Sequence, residues 1–157
     1  MIDSYDEALL EIGKQCLELA GCTVHEVFMG ANSPKLFHVV LPDDGKYIPE
    51  DHAGYSAEEA WLMASRELLT NEKTCIEVLV QAFETWVSLE HRMIGQGSER
   101  RAVWIAFTPV HDASGYRVNF LNASISESLP LTIALWFLDQ RGVKIDMKYV
   151  KALEAKE

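Results

Sequence analysis

No run of apolar residues in this chain reaches the roughly 20 needed to cross a bilayer, so a membrane-spanning helix is not expected. No secretory leader precedes the first structured segment, which points to a reducing cytoplasm. Cysteine is scarce: Cys16, Cys22 and Cys75 are odd in number and follow no repeating spacing, so a disulfide framework is excluded. In such a compartment the sequon Asn122-Ala123-Ser124 carries no meaning. Catalytic signatures are missing as well, with no G-x-S-x-G, H-E-x-x-H, P-loop or Rossmann pattern. Gly95-Gln96-Gly97 precedes a strand pattern, so it offers no helix-terminus amides to a phosphate. Basic residues are outnumbered: 14 Lys and Arg stand against 24 Asp and Glu, a net charge of −10. A surface of that sign repels nucleic acid and anionic membrane and favours basic partners.

What is present suffices for one α+β domain over residues 1–157, with 143–157 as a tail. The chain is 48% hydrophobic and 10% aromatic, enough for a core without staples. Its charge is lopsided. Residues 1–77 hold 15 acids and 5 bases, whereas residues 78–157 hold 9 of each.

The most apolar stretch is Ser126 to Gly142, which predicts a helix from Leu129 to Arg141. Ser128 suits its N-cap, Pro130 its first turn, Arg141 its negative end and Gly142 its left-handed stop. Thr132 is the one polar residue between Leu131 and Leu138, so the helix must be covered on most sides. Leu131, Leu135 and Leu138 are expected to be almost fully buried.

The other elements follow from period and caps. Ser4 and Glu7 read as a capping box opening a helix over 5–20, with Leu9, Ile12, Cys16, Leu19 and Ala20 as its apolar stripe and Gly21 as its stop. Thr23–Phe28 and Leu36–Leu41 read as a hairpin around Gly30–Pro34. Residues 42–54 read as a loop. Ser56 and Glu59 form a second capping box, followed by the stripe Ala57, Ala60, Trp61, Ala64 and Leu68. Asn71–Lys73 breaks this helix. Thr74–Glu84 is taken as helical and Thr85–Met93 as strand. Ala102–Thr108 is apolar on both faces, as in a central strand that Pro109 ends. His111–Gly115 reads as a five-residue hairpin loop leading to an alternating strand from Tyr116 to Phe120. Asp146 can cap a short last helix holding Met147, Val150 and Leu153.

Two segments resemble a known family. Gly54-Tyr55-Ser56-Ala57-Glu58-Glu59-Ala60-Trp61 is similar to the Tyr-Ser helix start with Ala-Ala-Trp of the phage ABA sandwich domain. Ser126 to Leu135 is similar to that family's final helix. The resemblance spans about residues 55–142. It departs where Leu131-Thr132-Ile133 replaces Leu-Ala-Ile, where Ala134 replaces a cysteine, and where Glu72–Glu84 is inserted. It implies a three-layer α-β-α sandwich, with a mainly antiparallel central sheet, and a phage or prophage origin. It brings no catalytic residues.

Several constellations carry residue types found in functional sites. Cys16, Cys22 and His25 lack zinc-ligand spacing, and Cys16 lies on an apolar stripe. Asp43, Asp44, Glu50, Asp51 and His52 lack the alternating order and late bidentate Glu of a calcium loop. Glu90, His91, His111 and Asp112 supply acid–base types without a pattern. Arg92, Arg100, Arg101 and Trp104 could meet nucleic acid, against an unfavourable net charge. The expectation is therefore a non-enzymatic protein with no cofactor and no metal, acting in the cytoplasm of a bacterial host. Asp43, Asp44, Glu50 and Asp51, with Glu58 beyond them, are the expected binding residues. The expected partner is a basic, nucleic-acid-handling host or defence protein, with neither nucleic acid nor membrane contacted directly. In its sharpest form this is an anti-CRISPR-like inhibitor. A self-associating structural phage domain and a small metal-dependent hydrolase are the alternatives. Four Trp, six Phe and five Tyr also suggest a homodimer.

Overall fold

The computed structural model describes residues 3–28, 30–43, 45–83, 87–107, 109–112, 115–118 and 124–155. The chain begins with one helical rod in three pieces: α1 (Ser4–Leu9), a π-helical turn (Leu10–Lys14) and α2 (Gln15–Leu19). Asp3, not Ser4, is its cap, with its carboxylate accepting from the Asp6 amide at 2.8 Å. A carboxylate at that end is a stronger acceptor than a hydroxyl and also meets the positive end of the helix dipole. The wide turn shifts the helical phase. Leu17 is therefore buried beside Leu9, Ile12 and Cys16, while Leu19 is exposed. Gly13 packs so closely that a Cβ there would lie 2.6 Å from the Ser65 Cβ.

The expected hairpin forms from β1 (Thr23–Val27) and β2 (Leu36–Val40), paired antiparallel with Thr23 opposite Val40. The segment read as loop adds a third strand, β3 (Tyr47–Ile48), on the far side of β2. Helix α3 (Ala57–Thr70) starts at Ser56, whose hydroxyl accepts from the Glu59 amide at 3.1 Å. Glu59 reaches back to the Tyr55 amide at 3.2 Å, one residue before the cap itself. Asn71 ends α3 and caps α4 (Glu72–Leu79), which continues as a 3-10 turn over Val80–Ala82. The helix expected over 74–84 thus starts two residues earlier, because the Asn71 side chain accepts from the Thr74 amide.

Strand β4 (Ser88–Ile94) pairs with β5 (Arg101–Phe107), which pairs in turn with β8 (Ser124–Ser126). Thr85, at the start of the expected strand, lies outside the described residues. Strand β5 is central and buried on both sides, as its sequence implies. Trp104 packs towards the main core, and Val103, Ile105 and Phe107 form a separate cluster. Strand β5 ends before Pro109, as expected, but Pro109 does not end the β structure. It opens β6 (Pro109–Asp112), which pairs with β7 (Gly115–Val118). His111, Asp112 and Gly115 are therefore ladder residues, where a five-residue loop was expected. Phe120 lies outside the described residues.

Helix α5 (Leu129–Gln140) is capped by the Ser128 hydroxyl, which accepts from the Leu131 amide at 3.3 Å, and Gly142 follows it with φ +74°. The Thr132 hydroxyl donates to the Ser128 carbonyl at 2.8 Å, which satisfies the one polar side chain on the buried run. Arg141 donates to the Ala82 carbonyl at 2.8 Å, and its guanidinium lies 4.8 Å from the Phe137 ring centre. Helix α6 (Met147–Glu154) is capped by Asp146 and buries Val150 and Leu153, while Met147 stays exposed.

The fold is α+β, and every described sheet is antiparallel. The strands do not join one central sheet, however. They divide into β1-β2-β3, β4-β5-β8 and the β6-β7 pair. Helix α3 packs on β1 and β2, α5 packs on β5 and β8, and α3 touches α5. The helices therefore hold the middle, because a helix apolar on all sides needs cover that one sheet face cannot supply.

Leu131 and Leu138 are buried, but Leu135 is only half-buried and lines an open cleft of about 800 Å³ beside α6. Leu138→Ala should therefore cost about 2–5 kcal/mol. Leu135→Ala should cost clearly less, since its side chain already meets water. Gly13→Ala should cost about 1–3 kcal/mol by overpacking against Ser65. Denaturant midpoints of the three variants test this ranking, and equal losses at positions 135 and 138 would contradict it.

Candidate functional site

The acidic segment 42–52 is not a free loop. The Leu41 amide donates to the Lys46 carbonyl at 2.9 Å, closing its first turn. Tyr47 and Ile48 then pair with Val40 and Val39, and the Ile48 side chain enters the core. Tyr47 stacks on His38 with ring centres 4.0 Å apart. Beyond the cis Ile48–Pro49 bond, Gly54 and Phe37 exchange backbone bonds of 2.8 and 2.9 Å. The segment is thus strapped to β2 at both ends.

This strapping holds Glu50, Asp51 and His52 against the junction of α3 and α4. A cavity of about 340 Å³ lies between them, lined also by Lys46, Glu67, Asn71, Lys73, Thr74 and Glu77. A second hollow of about 180 Å³ adjoins it, with Asp43, Pro42 and Gln81 in its wall. Leu41, Glu77 and Val78 border both. The two hollows form one groove with carboxylates on each bank: Asp43, Glu50 and Asp51 on the loop, Glu67 and Glu77 on the helices.

The charges differ in how firmly they are held. Glu67 accepts from the Asn71 amide group at 2.9 Å and from the Thr74 hydroxyl at 3.1 Å, so it belongs to the helix junction. Lys73 lies 3.9 Å from Glu77 one turn on, an exposed pair of small energetic weight. Asp43, Glu50 and Asp51 point into solvent. Of the five expected binding residues, the groove gathers Asp43, Glu50 and Asp51. Glu58 sits exposed in the first turn of α3 and does not line it, and Asp44 lies outside the described residues. Sequence reasoning missed Glu67, Lys73 and Glu77. Their charges were visible, but nothing in the local pattern says that the α3–α4 junction faces this loop.

The other candidate constellations are dispersed. The Cys16 thiol points at the Ala134 carbonyl and the Cys75 thiol at the Pro130 carbonyl, while His25 contacts Thr23 at 2.9 Å. No group of three or more His, Cys, Asp or Glu among the described residues is placed to hold a metal ion. Glu90 and His91 are adjacent on a strand and so face opposite ways. His91 stacks on Trp104 at 4.5 Å, and Glu90 accepts from Arg92 at 2.9 Å. The His111 and Asp112 side chains lie outside the described residues. Arg101 meets Glu127 at 3.4 Å, and Trp104 is half-buried, so these two do not form an open stacking platform. Of the tryptophans counted towards a dimer, Trp136 is buried, Trp61 and Trp104 are half-buried, and Trp86 lies outside the described residues.

No described helix is long and apolar enough to cross a membrane. Compared with family models, curated proteins and solved structures, the chain gives no match in any of the three.

All three cysteines are free and buried. Burial, and secondarily the nearby Cys75 thiol, pushes Cys16 well above the ordinary 9.0. Burial raises Cys22 to about 11 and Cys75 to about 12. Folded thiols therefore stay protonated where unfolded ones ionise. The stability this contributes is fully present below about pH 9 and is lost as pH rises towards the folded values. Unfolding midpoints should fall between about pH 8 and about pH 10.5, and less so in a Cys22→Ala, Cys75→Ala variant. A thiol-reactive dye should label the native protein slowly and the unfolded protein at once.

Proposed function

We propose that this protein is a non-enzymatic binding protein that engages a basic protein partner through the acidic groove. One observation carries the reading: carboxylates from two separate elements converge on one open groove, with the loop bank strapped to β2. An excess of carboxylates on a segment tied to β2 is a stronger attractor than the same charges on a free loop, because less ordering entropy is lost on binding. It also raises association rates with a partner of opposite charge by roughly 10–1000-fold at low salt.

The partner class this favours is a nucleic-acid-handling protein of a bacterial host. Such proteins present lysine and arginine where phosphates bind, and the groove offers carboxylates to those side chains. The similarity of residues 54–61 and 126–135 to phage ABA sandwich domains supports a phage or prophage origin. With it comes action in the host cytoplasm as an inhibitor of a defence protein of the anti-CRISPR kind.

Capture from a bacterial lysate on the immobilised protein tests this reading. A basic nucleic-acid-binding protein should be retained at low salt and released as salt rises, since exposed charges are screened over about 8–10 Å near physiological strength. Reversing Asp43, Glu50 and Asp51 to Lys should abolish capture and change the unfolding free energy by no more than about 0.5 kcal/mol each, because all three are surface positions. Retention that survives both high salt and the triple reversal would refute the groove as the contact.

A further inference from the structure

Strand β4 ends the strand order β4-β5-β8, and among the described residues its ladder partner is β5 alone. Its seven pairs with β5 run from Ser88–Phe107 to Ile94–Arg101 without a bulge, and it contains no proline. A regular outer strand of this length is a template for another strand, and proteins normally blunt such edges. Two of its apolar side chains are unusually open: Leu89 is 37% exposed and Met93 52%.

We propose that β4 is a self-association surface, on which a second copy of this chain pairs its own β4 antiparallel about a two-fold axis at His91. The residue order selects this arrangement. With the axis at His91, Glu90 of each copy lies opposite Arg92 of the other, and Leu89 opposite Met93, each pair occurring twice. Ser88 then faces Ile94 at the ends. The opposite charges attract and the exposed apolar pair is covered. Moving the axis one residue either way sets Glu90 against Glu90, or Arg92 against Arg92. Directly opposed like charges are destabilising, so the register is fixed as well as the direction.

Two further observations agree. Glu90 and Arg92 share the sheet face of Ile105 and Val103, and Glu90 Oε1 accepts from Arg92 Nη2 at 2.9 Å within one chain. A second guanidinium on that face would join the pair into a four-membered ion network. The longer outer strand of the β1-β2-β3 sheet, β1, offers no such code. Its only full charge is Glu26, so no antiparallel register there pairs opposite signs. The product at β4 is a continuous sheet of two β8-β5-β4 halves, with an isologous interface of the kind usual in homodimers. It shares no residue with the acidic groove and stands whether or not that groove binds a partner.

Sedimentation at micromolar concentration should show a species of twice the 17.7 kDa chain mass in exchange with monomer. Glu90→Arg alone and Arg92→Glu alone should each weaken dimerisation about tenfold or more, because both symmetry-related pairs become like-charged. Mixing the two single variants should restore a dimer, since every contact then pairs opposite signs. The double variant Glu90→Arg, Arg92→Glu should restore it within one chain. Glu90 is partly buried, so Leu89→Lys and Met93→Glu provide the same test at exposed positions: each alone weakens the dimer, and the mixture recovers it. Circular dichroism confirms that each variant is folded. A wild type that stays monomeric overturns the proposal. So does a dimer indifferent to the single charge reversals, or folded variants that fail to rescue one another.

Discussion

A twelve-residue helix with Thr132 as the only polar residue between Leu129 and Leu138 has no face that can meet water, and the rest of the molecule is arranged to cover it. Helices α2, α3 and α4 and strands β5 and β8 all pack against α5. Its ends are fixed by polar contacts of opposite kinds. The Ser128 hydroxyl receives an amide at the first turn, and Arg141 reaches across to the Ala82 carbonyl at the last. The single hydroxyl on its buried run is turned back onto its own helix, so the apolar surface is unbroken. Burial of this kind is non-directional, and it tolerates the split of the strands into separate sheets. The β1-β2-β3 sheet rests on α3 and the β4-β5-β8 sheet on α5.

The acidic groove is a by-product of that arrangement. Strand β2 lies on α3, and the segment after it must return to the start of the same helix. It does so by adding β3 to the sheet and by the Phe37–Gly54 bridge, which brings Glu50 and Asp51 back over the α3–α4 junction. Asn71 makes the junction sharp by ending one helix and capping the next. Glu67 is spent on that corner, accepting from Asn71 and Thr74. The solvated carboxylates on the loop bank keep their capacity for another molecule. The uneven charge of the chain, concentrated in residues 1–77, thus has a spatial counterpart.

The β4 edge obeys a different logic. Its neighbour β5 is paired along both edges, by β4 and β8, whereas among the described residues β4 is paired along one edge only. A strand in that position either carries guards against pairing or specifies its own pairing. The order Leu-Glu-His-Arg-Met reads with complementary neighbours in both directions from its middle residue, which is the property a two-fold contact requires. Acidic groove and strand edge lie on separate parts of one scaffold and share no residue.

The sequence by itself determined the elements whose causes are local. Caps and periodicity placed α5 to within a residue, located α3 at Ser56 and α6 at Asp146, and marked β5 as two-sided, because a helix end or an alternating face is set by side chains a few residues apart. They failed where a local choice was close: Asp3 outcompeted Ser4 as a cap, the π turn moved burial from Leu19 to Leu17, and His111 and Asp112 joined a ladder where a hairpin loop was expected. Tertiary structure alone decided the rest. It placed the helices between two sheets, left Leu135 at the edge of a cleft, and set Glu77 across from Asp51. Those outcomes depend on which surfaces meet at long sequence separation. Hydrophobic burial rewards any close-packed solution, so only the three-dimensional fit selects among them.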